Sequence, residues 1–194
     1  MSPRRFNFAL LLLLIATATS SALAQDALEQ WKDFDFATTS IKSAQIQPLA
    51  LEDLKLLRGI VFGRHGRIFK DAEIKTFLEA QSWFKPSSDF KNSMLNDTER
   101  RNLDVIRIAE ASKHATIQPG DMRYWVNRPI GMKKLGKHSG AEWTVLIAEV
   151  EAIHGKKFDD NPWLQQYFEE RYWYVPNDKY DSKKLSDNER KNLE

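Results

Sequence analysis

His65 is the first residue of this 194-residue chain to consider for chemistry, because it sits in FGRHGRIF, Phe62 to Phe69, flanked by Arg64, Gly66 and Arg67. A histidine serves as a general base or a metal ligand only with a suitable partner. Glu99 and Asp104 are the carboxylates such a base would use. The chain has four histidines and no cysteine. No HExxH or H-x-H spacing puts two histidines on one helix face, and thiol nucleophiles and Cys-held metals are excluded. Neither a Gly-rich phosphate loop nor a GxSxG motif is present. No catalytic residue, metal or cofactor is therefore assigned. The preferred role for His65 is structural: a ring in the last turn of a helix fills core with its body and turns its nitrogens to loose backbone groups.

Binding chemistry has two sources. Arg64, Arg67 and Lys70 form a basic cluster at a helix end, suited to an anionic group, although the preferred partner of Arg64 is an acid of its own unit, Asp89, Glu99 or Asp104. The aromatics Trp83, Phe84 and Phe90, with Tyr172, Trp173, Tyr174 and Tyr180, gather around Pro86 and Pro176. Exposed rings of this kind stack on sugars, whereas buried ones are core. Their fixed spacing beside inward helix positions favours core, with Tyr172 and Tyr180 expected to be at least partly exposed. Arg64, Arg67, Tyr172 and Tyr180 are the candidate binding residues.

These residues recur because the chain repeats itself. His65, Gly66 and Phe69 match His154, Gly155 and Phe158 at an offset of 89. After one inserted residue the offset is 90, and Ile74, Phe77, Trp83, Pro86, Phe90, Leu95, Glu99, Asn102 and Leu103 match Leu164, Tyr167, Trp173, Pro176, Tyr180, Leu185, Glu189, Asn192 and Leu193. Two related units follow from this.

Each unit reads as three helices. Leu54, Leu57, Val61 and His65 make one helical stripe, and Trp143, Leu146, Ile147, Val150 and His154 make its twin, opened by a Ser139-x-x-Glu142 capping box. Gly66 and Gly155 are the left-handed stops. Asp71 caps a second helix, and Pro162 stands in the first turn of its counterpart. A long aromatic loop precedes a third helix that opens with Asn96-x-x-Glu99 or Ser186-x-x-Glu189. The expected fold is mainly α, two three-helix units joined by an irregular linker. The units span 48–112 and 140–194, with the second unit's last helix short or truncated. Residues 25–47 are expected to be an extended arm and 113–139 the linker, in which MRYWV, Met122 to Val126, reads as a short strand.

Residues 1–24 read as a signal peptide: Arg4 and Arg5, an apolar stretch from Phe6 to Ala18, and SALA before Gln25. That stretch is shorter than the roughly 20 residues a membrane-spanning helix needs. No stable membrane span is expected after cleavage, and the product is expected in the periplasm or outside the cell. The whole chain carries 29 Lys+Arg against 27 Asp+Glu; losing Arg4 and Arg5 brings the mature balance to zero. A nucleic-acid partner, which demands a one-sided basic surface, is not expected.

The pattern of aromatic-x-Arg-His-Gly, then W-[YF]-x-P and L-x-x-x-E-x-x-N-[LI], resembles the YARHG domain. It reads FGRHG at Phe62 to Gly66 and EAIHG at Glu151 to Gly155, where Glu and Ile replace the aromatic and the arginine. The resemblance covers Leu51 to Ser112 and Trp143 to Glu194. Its motif positions are His65, Gly66, Trp83, Pro86, Glu99 and Asn102, and again His154, Gly155, Trp173, Pro176, Glu189 and Asn192. It implies a bacterial, extracellular module linked to the cell envelope, accompanied in longer proteins by peptidase or kinase domains, with no particular activity implied. The functional expectation is an exported, non-enzymatic envelope module that binds peptidoglycan, another glycan or an envelope protein. The alternative is an envelope hydrolase using a carboxylate and His65.

Overall fold

The computed structural model describes residues 27–194, so the leader expected at 1–24 lies outside them. Among the described residues there are helices and no strand, and no helix is long and apolar enough to cross a membrane. The chain divides into two compact units, one ending at Phe34 and one running from Asp35 to Glu194. The described part of the first is helical over residues 27–32, where the Trp31 and Phe34 rings lie 5.0 Å apart. Both repeats lie in the second unit.

The first repeat opens with α1 (Ser43–Ile46) and α2 (Leu51–Gly63), followed by α3 (Ala72–Glu79) and α4 (Asp97–Lys113). A short α5 (Met122–Trp125) and α6 (Met132–Leu135) lead to the second repeat's α7 (Gly140–Ala152), α8 (Pro162–Glu169) and α9 (Asp187–Asn192). The extended arm of 25–47 is thus replaced by helical turns at 27–32 and α1. The two sets superpose in sequence register: α7 begins 89 residues after α2, and α8 begins 90 after α3, so the inserted residue falls in the loop before the N-cap Asn161.

Local chemistry starts these helices where expected. Asp71 accepts from Glu73 N and Ile74 N; Asn96, Ser139 and Ser186 each accept from the backbone N–H three residues on, and each has its reciprocal carboxylate. Satisfying these orphan amides is worth about 1 kcal/mol per cap. Leu54, Leu57 and Val61 are fully buried, as the first stripe predicts. Helices α2 and α3 pack closely because Gly59 and Gly63 face Ile74 and Leu78; a methyl group at either glycine would lie 2.8 Å from those side chains. Ala148 and Ala152 hold the equivalent places in α7.

Two expectations are corrected. Ile147 is exposed rather than inward, because α7 buries two flanks instead of one stripe. Val145, Ala148 and Ala152 pack with Phe158, Leu164 and Phe168, while Leu146 and Val150 pack with Ile117, Met122, Trp125 and Leu185. The same packing turns MRYWV into a helical turn. Met122 and Trp125 must reach one core together, and a spacing of three puts them on one side of a helix but on opposite faces of a strand. The supposed linker therefore supplies part of the second repeat's core.

Candidate functional site

The His-Gly segments close α2 and α7 by one device. Gly66 has φ +79° and Gly155 φ +84°, the left-handed region that a glycine enters without steric cost. Gly66 N donates to Gly63 O at 2.9 Å and Arg67 N to Phe62 O at 3.3 Å; Gly155 N and Lys156 N donate to Ala152 O and Glu151 O at 2.9 and 3.2 Å. This is the Schellman arrangement, in which the helix end satisfies its own carbonyls. The carbonyls of Gly66 and Gly155 then accept from Ser87 N and Asn177 N, both at 2.8 Å, and so pin the aromatic loop.

Each histidine ties that turn to the third helix. His65 Nε2 donates to Glu99 Oε1 at 2.6 Å, and His154 Nε2 to Glu189 Oε1 at 2.6 Å. The other oxygen of each glutamate closes its own capping box on Asn96 N (2.9 Å) or Ser186 N (2.8 Å). One carboxylate thereby holds both a helix start and a helix stop. Burial alone would raise the Glu189 carboxyl, but bonds from His154 and from the backbone and hydroxyl of Ser186 outweigh it and leave it below the usual range.

The asparagines do a second tying job. Asn102 Oδ1 accepts from Ile41 N at 2.7 Å while Nδ2 donates to Phe36 O and Thr39 O; Asn192 Oδ1 accepts from Ile130 N at 2.9 Å while Nδ2 donates to Trp125 O and Arg128 O. Phe36, Thr39 and Ile41 stand 89 residues before Trp125, Arg128 and Ile130. The repeat thus begins earlier than 48 and 140. The signal was present in the Ile41/Ile130 and Phe36/Trp125 matches at the offset of the histidines.

A cleft opens where the repeats meet. A groove of about 680 Å³ is lined by Arg67, Phe90, Lys91, Asn92, Glu170 and Arg171. It shares Arg67, Asn92, Glu170 and Arg171 with a cavity of about 220 Å³ that Arg58, Arg107, Glu149, Tyr172 and Trp173 also line. Cross-repeat bonds fix its walls: Asn92 Nδ2 donates to Glu170 O at 2.6 Å and Arg100 Nη1 to Tyr172 O at 2.7 Å. Tyr172 OH donates to Asp104 Oδ1 at 3.1 Å, and Arg123 donates to the other oxygen of that carboxylate at 2.8 Å. At the base, Arg58 Nε and Arg107 Nη1 each donate at 2.9 Å to the buried Glu110. Glu149 is 1 % exposed and accepts from Gly120 N and Met122 N. Burial pushes its carboxyl up to about 7 against the pull of Gly120 N–H and of Arg107.

The candidate binding residues separate accordingly. Arg67 faces the cleft, its guanidinium 4.5 Å from the Phe62 ring centre. Arg64 is exposed, lies 4.0 Å over its own repeat's Trp83, and is not among the residues that line the cleft. Tyr172 is buried rather than partly exposed, because it packs 6.0 Å from Phe62 and spends its hydroxyl on Asp104. Tyr180 is half-buried and donates to Glu151 at 2.7 Å. Trp83 and Trp173 are half-buried; Pro86 and Pro176 are exposed. Arg171 and Glu149 were not singled out by sequence, since both gain their place only when the repeats pack.

A small all-helical module built twice, with its turn, latch and asparagine tie repeated bond for bond, defines a tandem-domain protein. The chain matches the YARHG domain family over residues 34–111 and again over 122–194, and it belongs to that family. Both matched spans include the leading segments that Asn102 and Asn192 hold. No curated protein and no solved structure matches the chain.

Proposed function

We propose that this protein is an exported, non-enzymatic binding module of the cell envelope, and that its tandem repeats form one ligand site in the cleft between them. The cleft itself carries this reading: the groove with its adjoining cavity is walled by arginine and aromatic side chains from both repeats and suits a polar ligand with ring faces, such as a cell-wall glycan. The His65–Glu99 and His154–Glu189 pairs support a binding role over hydrolysis. Each glutamate has one oxygen on the histidine and one on a backbone amide, and the same arrangement occurs twice. Export rests on the leader at residues 1–24.

The reading is tested by retention of the purified protein on isolated peptidoglycan, run beside zymography of the same preparation. Retention without clearing is expected. A cleared zone that disappears in His65→Ala would establish the hydrolase instead.

A further inference from the structure

Arg67 and Lys156 follow Gly66 and Gly155 and occupy equivalent positions, yet their surroundings differ. In the second repeat the cation is answered internally: Lys156 Nζ meets Glu151 Oε2 at 2.5 Å, and Tyr180 OH donates to Glu151 Oε1. In the first repeat the places of Glu151 and Tyr180 are taken by Phe62 and Phe90. Carboxylate and hydroxyl are both gone, and Arg67 lies over the two rings at 4.5 and 5.6 Å. From the second repeat, Arg171 lines the same groove, its guanidinium 3.9 Å over Tyr167. Among the described residues neither Arg67 nor Arg171 forms an ion pair.

The acids nearby do not supply the missing charge. Glu110 is committed to Arg58 and Arg107. Glu149 is spent on backbone amides, and Glu169 and Glu170 line the groove without an ion pair to either arginine. Burial first, then the charges of Arg58 and Arg171, holds the Arg67 guanidinium below the usual arginine range. A cation kept among like charges and ring faces favours an incoming anion, because a guanidinium can give paired hydrogen bonds to it where water is partly excluded.

We propose that the cleft binds an anionic group of its ligand, a carboxylate or a phosphate, between Arg67 of the first repeat and Arg171 of the second. This rests on the glycan-binding reading and adds the ligand class, an acidic saccharide whose ring lies against the aromatic wall beside the arginines.

The test is titration calorimetry of the purified chain with a muramyl peptide bearing free carboxylates, with its methyl ester, and with inorganic phosphate. Arg67→Gln, Arg171→Gln and Lys156→Gln are compared, each checked for an unchanged melting transition. The free acid is expected to bind at least tenfold more tightly than the ester. Arg67→Gln and Arg171→Gln should each lose at least tenfold, while Lys156→Gln stays within about twofold. Binding of phosphate alone, lost in the same two variants, also supports the site and assigns the anion to a phosphate. Equal binding of acid and ester, unaltered binding in both arginine variants, or no binding of any probe overturns the inference. Should Arg67→Gln fail to fold, Arg171→Gln decides. Retention of the wild type on intact peptidoglycan that is indifferent to both arginines overturns the anion site and leaves the binding module standing; absence of retention overturns the module itself.

Discussion

Around Gly66 and Gly155 the two repeats share their backbone hydrogen bonds, and one residue further on they part. Lys156 is neutralised within its repeat by Glu151, whereas Arg67 has Phe62 in that place and faces the cleft. The shared parts are those whose loss would unmake a helix end: a left-handed glycine, a histidine on a capping glutamate, an asparagine closing a loop. The parts that differ lie beside this frame and leave it intact. Duplication thus separates the groups that build the module from those free to acquire a ligand.

The comparison is most severely tested at the glycines. Alanine at Gly66 or Gly155 would place Cβ 2.6 Å from Lys85 O or Val175 O, in a conformation that itself costs roughly 1–2 kcal/mol. A loss of about 3 kcal/mol, similar in the two repeats, is expected from urea unfolding. A Gly66→Ala chain as stable as wild type would show that the turns are not equivalent in energy.

Glu149 sharpens the contrast further, since its equivalent in the first repeat is the buried Ile60. Its carboxyl is raised from 4.5 to about 7. Between those values the native chain keeps a proton that the unfolded chain has lost, so stability falls as pH rises through this window and levels off above it. Glu189, with its lowered carboxyl, acts in the opposite sense and loses its contribution as the solution is acidified. Melting curves at pH 5 and pH 7.5 should differ by about 2–3 kcal/mol more in wild type than in Glu149→Gln. An unchanged difference would mean that Glu149 is ionised at the lower pH.

The asparagines give the smallest effect. Asn102 is 1 % exposed and Asn192 half-buried, so Asn102→Ala should cost about 2 kcal/mol and Asn192→Ala about half that. Equal losses would show that the second repeat's leading segment is held as firmly as the first's.

Features governed by near neighbours were legible from residue types alone. The N-caps Asp71, Asn96, Ser139 and Ser186 and the stops at Gly66 and Gly155 depend on groups within about five residues, and they form as read. Reading failed where one element serves two neighbours. The residue types of α7 suggest one apolar stripe, yet the helix fills two cores and leaves Ile147 in solvent. Tyr172, expected to be at least partly exposed, is buried against Phe62 and Asp104 of the other repeat.

The amino-acid sequence by itself determined the helical repeat, its caps and turns, and the membership of His65, Glu99, Asn102 and their twins in one scaffold, because each obeys short-range hydrogen-bonding rules or a fixed offset. Tertiary structure alone decided that Arg67 and Arg171 share a cleft, that Arg64 stacks outside it on Trp83, and that Glu149 is shut away on two amides. Those outcomes depend on the packing of segments separated in the chain, by about 20 residues for Arg64 and Trp83 and about a hundred for Arg67 and Arg171. No local rule says that the cation with Phe62 in place of the Glu151 carboxylate will share a groove with an arginine of the other repeat.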